Sequence, residues 1–178
     1  MISNFNIKKT TQAAAYLLSL SNGRMPYLKL LKLLYLADRK SLQVSEHSIT
    51  GDQYFSMTKG PVLSATYNLI KSKGVENYWN NYIQTKPHDV YMVNKPGKGE
   101  LSPYDIEILD QINCEFGGWD RWQLVEYTHK LPEWVDPGTT SKEISFQALL
   151  AGLGYHQKDI QRIINNLENQ SKIDMLLD

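Results

Sequence analysis

A single cysteine, Cys114, stands among the 178 residues. The chain therefore has no internal disulfide to hold it, which fits a reducing cytosol. The four histidines, His47, His88, His129 and His156, are scattered without zinc-ligand spacing. Glu126 and His129 have the Glu-x-x-His spacing of carboxylate-bridged di-metal bundles. That chemistry needs two such pairs and two further glutamates on facing helices, and only one pair is present. Gly97-Lys98-Gly99 lacks the GxxxxGK[ST] spacing of a phosphate loop, and no GxSxG occurs. Cys114 has no histidine linked to it in sequence, so an inert thiol is expected rather than a nucleophile. No catalytic residue, cofactor or metal is expected. Neither sign of charge is in excess, with 19 basic against 19 acidic residues, which argues against a strong nonspecific polyanion binder. No apolar run is long enough to span a bilayer. The opening stretch, MISNFNIKKTTQAAAYLLSLSNG, lacks the core and cleavage pattern of a secretory signal. The expectation is a cytoplasmic protein with no membrane partner and nucleic acid disfavoured.

What the chain does have is one long apolar helical pattern at residues 26–44, PYLKLLKLLYLADRKSLQV. At about 100° per residue, Lys29, Lys32, Leu36, Arg39, Lys40 and Gln43 share one stripe. The remaining circumference is leucine, tyrosine and alanine. A helix whose polar stripe is the narrow one is covered on most sides, so this is expected to be the central core helix. Asp38 breaks the pattern. It points about opposite the lysines, among Leu31, Leu34 and Leu42, where a carboxylate must be hydrogen-bonded or paired. A structural aspartate that fixes a neighbouring loop through backbone N–H groups is the favoured reading, over a functional acid in a cleft.

The rest predicts a mainly α fold (α+β) of six to seven helices packed around that rod, in one domain over 1–178. Asn6 caps a helix over 7–21, and Asn22-Gly23 stops it. Strand-forming stretches at 53–58, 78–84 and 89–94 predict one small antiparallel sheet, with a hairpin loop at Lys86-Pro87-His88. Gly60-Pro61 predicts a helix over 62–72 with proline at its first position. Ser102, Pro103 and Asp105 form a strong helix start, and Gly117-Gly118 end that helix. Asp120 caps a helix over 121–130. Thr140 with Glu143 predicts a capping box for a helix through Ala151, and a last helix follows over 157–169. Residues 171–178 are expected to fray.

Four tryptophans and eleven tyrosines supply large amphipathic rings, which concentrate at interfaces as well as in cores. The proline-rigidified loop holding Trp134 is one place for such an anchor. The last two helices could form a helix-turn-helix. Too few basic residues lie there to neutralise many phosphates, and closure of the core is the preferred reading.

Several phrases, in order, resemble a known domain. They are KLLKLLYLADR at 29–39, ITGD at 49–52 with Tyr54 and Met57, and KGPV at 59–62 with Ser64 and Tyr67. Leu101-Ser102 with Asp105, Trp122 with Leu124, Thr128-His129 and Pro132-Glu133-Trp134 follow. The set is similar to the Panacea (SocA-like) antitoxin domain. The resemblance implies a bacterial or phage protein of a toxin–antitoxin or phage-defence system that binds a cognate protein toxin, encoded by an adjacent gene, and blocks it. Some members deliver the toxin to a protease. A DNA-binding regulator using the C-terminal helices is the alternative. The motif residues that carry over, as structural or partner-binding, are Asp38, Gly51, Asp52, Tyr54, Lys59, Gly60, Pro61, Thr128, His129 and Trp134. Gly51 suits a turn of positive φ, Gly60-Pro61 a strand-to-helix corner, and Asp38 a tie between that corner and the central helix. Thr128, His129 and Trp134 are expected to sit together.

Overall fold

The computed structural model describes residues 4–72 and 74–177. Asn6 accepts from Lys9 N and opens helix α1, Ile7–Ser19. The chain reverses through Asn22 and Gly23, both at positive φ, into a short strand β1, Arg24–Pro26. Pro26 then precedes the central helix α2, Tyr27–Ser45. Strands β2, Tyr54–Met57, and β3, Gly60–Leu63, form a hairpin that leads into helix α3, Ser64–Lys71. A 3-10 turn at Trp79–Asn81 precedes strands β4, Ile83–Lys86, and β5, Asp89–Met92. Helices α4, Pro103–Phe116, and α5, Arg121–Thr128, both begin with full capping boxes, on Ser102 with Asp105 and on Asp120 with Gln123. Strand β6, Lys142–Ile144, and helices α6, Phe146–Gly152, and α7, Gln157–Leu177, complete the chain.

The fold is mainly α with small antiparallel sheets, and α2 lies at its centre. Leu30, Leu31, Leu33 and Tyr35 have no exposed surface, and Leu34 and Ala37 almost none. Helices α1, α3, α4, α5 and α6 and strands β1, β3 and β5 pack around α2. Among the described residues no helix is long and apolar enough to cross a membrane.

Three local expectations are corrected. The strand stretches do not join in one sheet. Two three-stranded sheets form, in the orders β1-β5-β4 and β3-β2-β6. The 53–58 stretch belongs to the second, and the start of 78–84 is the 3-10 turn rather than strand. Gly60-Pro61 begins a strand, not a helix, because pairing of Phe55 with Val62 and of Tyr54 with Leu63 outweighs the local proline signal. The Thr140/Glu143 box is not used. Residues 142–144 pair with β2, and Ser145 caps α6 by accepting from Ala148 N. Helix α7 runs on from Asn169 to Leu177 with its last turns exposed; of the stretch expected to fray, Asp178 lies outside the described residues.

Candidate functional site

Four polar residues of α2, Lys29, Lys32, Tyr35 and Arg39, tether the elements that cover the helix, while Gln43 faces water. Lys29 Nζ donates to Gly117 O at the end of α4, at 2.6 Å. Arg39 Nη2 donates to Gly152 O at the end of α6, at 3.3 Å. Both cations therefore meet the carbonyl end of a helix, where the helix dipole favours positive charge. Between them, Lys32 Nζ donates to Pro61 O at 2.7 Å, and Tyr35 Oη donates to Glu133 Oε1 at 2.9 Å. Arg39 Nε donates to the same Glu133 oxygen at 2.7 Å. Lys32, placed in the polar stripe by the sequence, has no exposed surface at all.

Four of the ten motif residues meet beneath the loop before β2. Asp38 is fully buried and accepts from Ile49 N at 2.8 Å, Thr50 N at 3.0 Å, Thr50 Oγ1, and Tyr54 Oη at 3.1 Å. It fixes a loop through N–H groups, as expected, but the loop is 49–54. The tie between α2 and the Gly60-Pro61 strand is made by Lys32 instead. Gly51 has φ +67, and a Cβ there would lie 2.3 Å from Asn4 O, so only glycine fits the close approach. Asp52 caps α3 from outside that helix. Its carboxylate accepts from the Thr66 hydroxyl and from Ala65 N and Thr66 N, orphan donors of a helix whose preceding residue, Leu63, has no capping side chain. Tyr54 also stands edge-on to Tyr35, with 5.8 Å between ring centres.

The other six meet at the far end of the β2–β3 hairpin. Gly60, at φ +91, leaves room for Thr128 and Lys32; a Cβ would lie 2.7 Å from Thr128 Oγ1 and 3.0 Å from Lys32 Nζ. Thr128 is buried and donates back to Leu124 O. His129 Nε2 lies 3.1 Å from Thr58 O; since a carbonyl only accepts, the proton is on that nitrogen. The His129 ring stacks on Trp134 at 4.1 Å, and Trp134 Nε1 donates to Met57 O at 3.2 Å. Thr128, His129 and Trp134 thus sit together, and the last two clamp the hairpin. Lys59, at the hairpin tip, is exposed and stands 5.5 Å from the ring centre of Trp122.

Trp122 was not among the expected site residues. It is 52% exposed, and Arg121 Cζ stands 5.1 Å from its ring. The signal was available. Helix α5 buries Leu124 and Thr128, and a residue two before Leu124 projects about 200° away, onto the outer face. Trp122 is thus an exposed aromatic with two cations, Lys59 and Arg121, against its ring.

Among the described residues, no group of three or more His, Cys, Asp or Glu side chains could hold a metal. Burial without a carboxylate partner lowers Lys32 from 10.5 to about 7. The native state thus gives up this proton before the unfolded chain does, and stability climbs as pH rises from about 7 toward 10.5. Lys32→Met should remain folded and lose that climb when urea unfolding is compared near pH 7 and near pH 10. A climb of wild-type size in the variant would assign the titration to another group.

The fold is mainly α, organised round a buried helix with inward tethers, and it carries the half-exposed Trp122 on its outer face. The chain belongs to the antitoxin SocA-like, Panacea domain family, whose model matches residues 30–135, more than half of its length. The match runs from the start of the central helix to Val135, just past the Trp134 clamp, and takes in both motif clusters. Comparison with the curated proteins gives no match, and comparison with the solved structures gives none.

Proposed function

We propose that this chain is an antitoxin that neutralises a cognate protein toxin by direct binding, through the face centred on Trp122. Family membership supports an antitoxin role in general. The observation that carries the face is Trp122 itself, half exposed and flanked by Lys59 and Arg121. Its indole has no part in the core, and tryptophan and arginine are the residues most enriched where binding energy concentrates. The clamp of His129 and Trp134 beneath it holds the hairpin tip in register, so the surface is rigid before a partner arrives. The function is binding rather than catalysis.

The C-terminal helices give the DNA-binding alternative no positive face. Helix α6 carries no charged residue, and α7 sets Lys158, Arg162 and Lys172 against Asp159, Glu168 and Asp174. Arg162 is engaged with Glu46 at 2.6 Å.

Co-expression with the product of the adjacent gene tests the proposal. Wild type should relieve that product's toxicity. Trp122→Ala should keep the wild-type melting temperature yet bind at least roughly thirtyfold more weakly, the loss of an interface anchor worth about 2 kcal/mol. Full relief and unchanged affinity in the variant would move the contact elsewhere. Toxin half-life measured with and without the chain separates simple blocking from delivery to a protease.

A further inference from the structure

At the opposite end of β2 from Lys59 lies a groove of about 370 Å³, within the size range of ligand sites. Its apolar walls are Ile144 and Phe146 on one side and Ile164 and Leu167 of α7 on the other. The last three of these keep part of their surface open. The charged residues that line it are Asp52, Glu143 and Glu168, all acidic. Asp52 is turned inward onto the start of α3. Glu143 and Glu168 are exposed, and among the described residues neither carboxylate has an ion-pair or hydrogen-bond partner. The neighbouring cations form no ion pair with either carboxylate among the described residues. Lys142 Nζ reaches Asp136 O at 3.4 Å, and Arg162 pairs with Glu46. Lys172, a turn beyond Glu168 on α7, makes no ion pair among the described residues.

An apolar floor between two carboxylates that hold no ion pair selects its occupant by charge. An acidic segment meets like-charge repulsion, and a purely apolar one leaves the rim unsatisfied. We propose that this groove is a second protein-binding site, which takes a short partner segment with a large apolar side chain next to a lysine or arginine. The proposal shares with the antitoxin reading only the premise that the chain acts by binding protein. The groove is separate from the Trp122 face.

Selection of random peptides on the full chain tests it. Selected peptides should pair a large apolar residue with Lys or Arg, and they should shift the amide resonances of 143–147 and 164–168. The double substitution Glu143→Gln with Glu168→Gln removes charge while keeping shape, and it should weaken them roughly fivefold. Trp122→Ala should leave their binding unchanged, so failure here and failure of the antitoxin reading are separate results. Selection of no peptide, selection without basic residues, or equal affinity for the double variant would overturn the proposal. So would a dimer in sedimentation that the double variant disperses, which would give the groove to a second copy of this chain.

Discussion

Asp38→Ala should melt roughly 6–20 °C below the wild type, the effect of losing about 3–5 kcal/mol when several buried donors lose their acceptor in a domain of this size. Four donors converge on this one carboxylate: two backbone N–H groups of residues 49 and 50, the Thr50 hydroxyl and the Tyr54 hydroxyl. All lie in a buried region, and truncation leaves them without an acceptor. Burial raises Asp38 from 3.8 to about 6, while the four donors pull it back toward the charged form. Because the native state holds this proton more tightly than the unfolded chain, its contribution to stability falls as pH rises from 3.8 to about 6. Asp38→Asn keeps an acceptor for the backbone groups. It should lie between Ala and wild type in stability and should lack that pH slope. Thermal scans of the three proteins across this window check both parts. An alanine variant that melts with the wild type would show that the 49–54 loop does not depend on Asp38.

Glu133→Ala should cost about 3 kcal/mol, the lower end for a broken buried ion pair. The Glu133 side chain has no exposed surface, whereas that of Arg39 keeps 18%. The freed guanidinium can therefore recover some hydration, but the Tyr35 hydroxyl, wholly buried, cannot. The carboxylate also lies so close to α6 that a Cβ on Gly152 would stand 2.6 Å from its Oε2. Loss of Glu133 therefore loosens three things at once: α2, the loop that carries Trp134, and the end of α6. Chemical denaturation measures the loss. A change under about 0.5 kcal/mol, the size of an ordinary surface substitution, would mean that the ion pair does not hold these elements together.

The parts of this fold that could be read from the sequence are those where local chemistry and tertiary packing agree. Asp38 stood out because no solvation was available to it on a leucine face. Asn6, Ser102 and Asp120 were legible because a cap is satisfied by its own helix. The hairpin at Pro87-His88 was legible because both strands adjoin the turn. The misread stretches are those settled by distant partners. Residues 60–63 carry the signal of a helix start, yet β2 recruits them as a strand. Residues 142–144 spell a capping box, yet Tyr54 and Ser56 pair with them. Lys32 looks solvated on any helical projection. Its cover comes from Gly60 and Pro61, which periodicity within α2 cannot report. At the site, the residues that stabilise the hairpin were found through family phrases, and most of them point inward. Trp122, the exposed one, needed the orientation of α5 to be set by Leu124 and Thr128.

Hydrogen exchange of the chain with and without the proposed toxin, the product of the adjacent gene, tests the central claim most directly. Binding at the aromatic face should slow exchange in α5, at the 58–60 hairpin tip and across 132–135. Exchange elsewhere on the surface should stay as it is in the free protein. Slowing confined to other elements, with these three segments unchanged, would contradict the account.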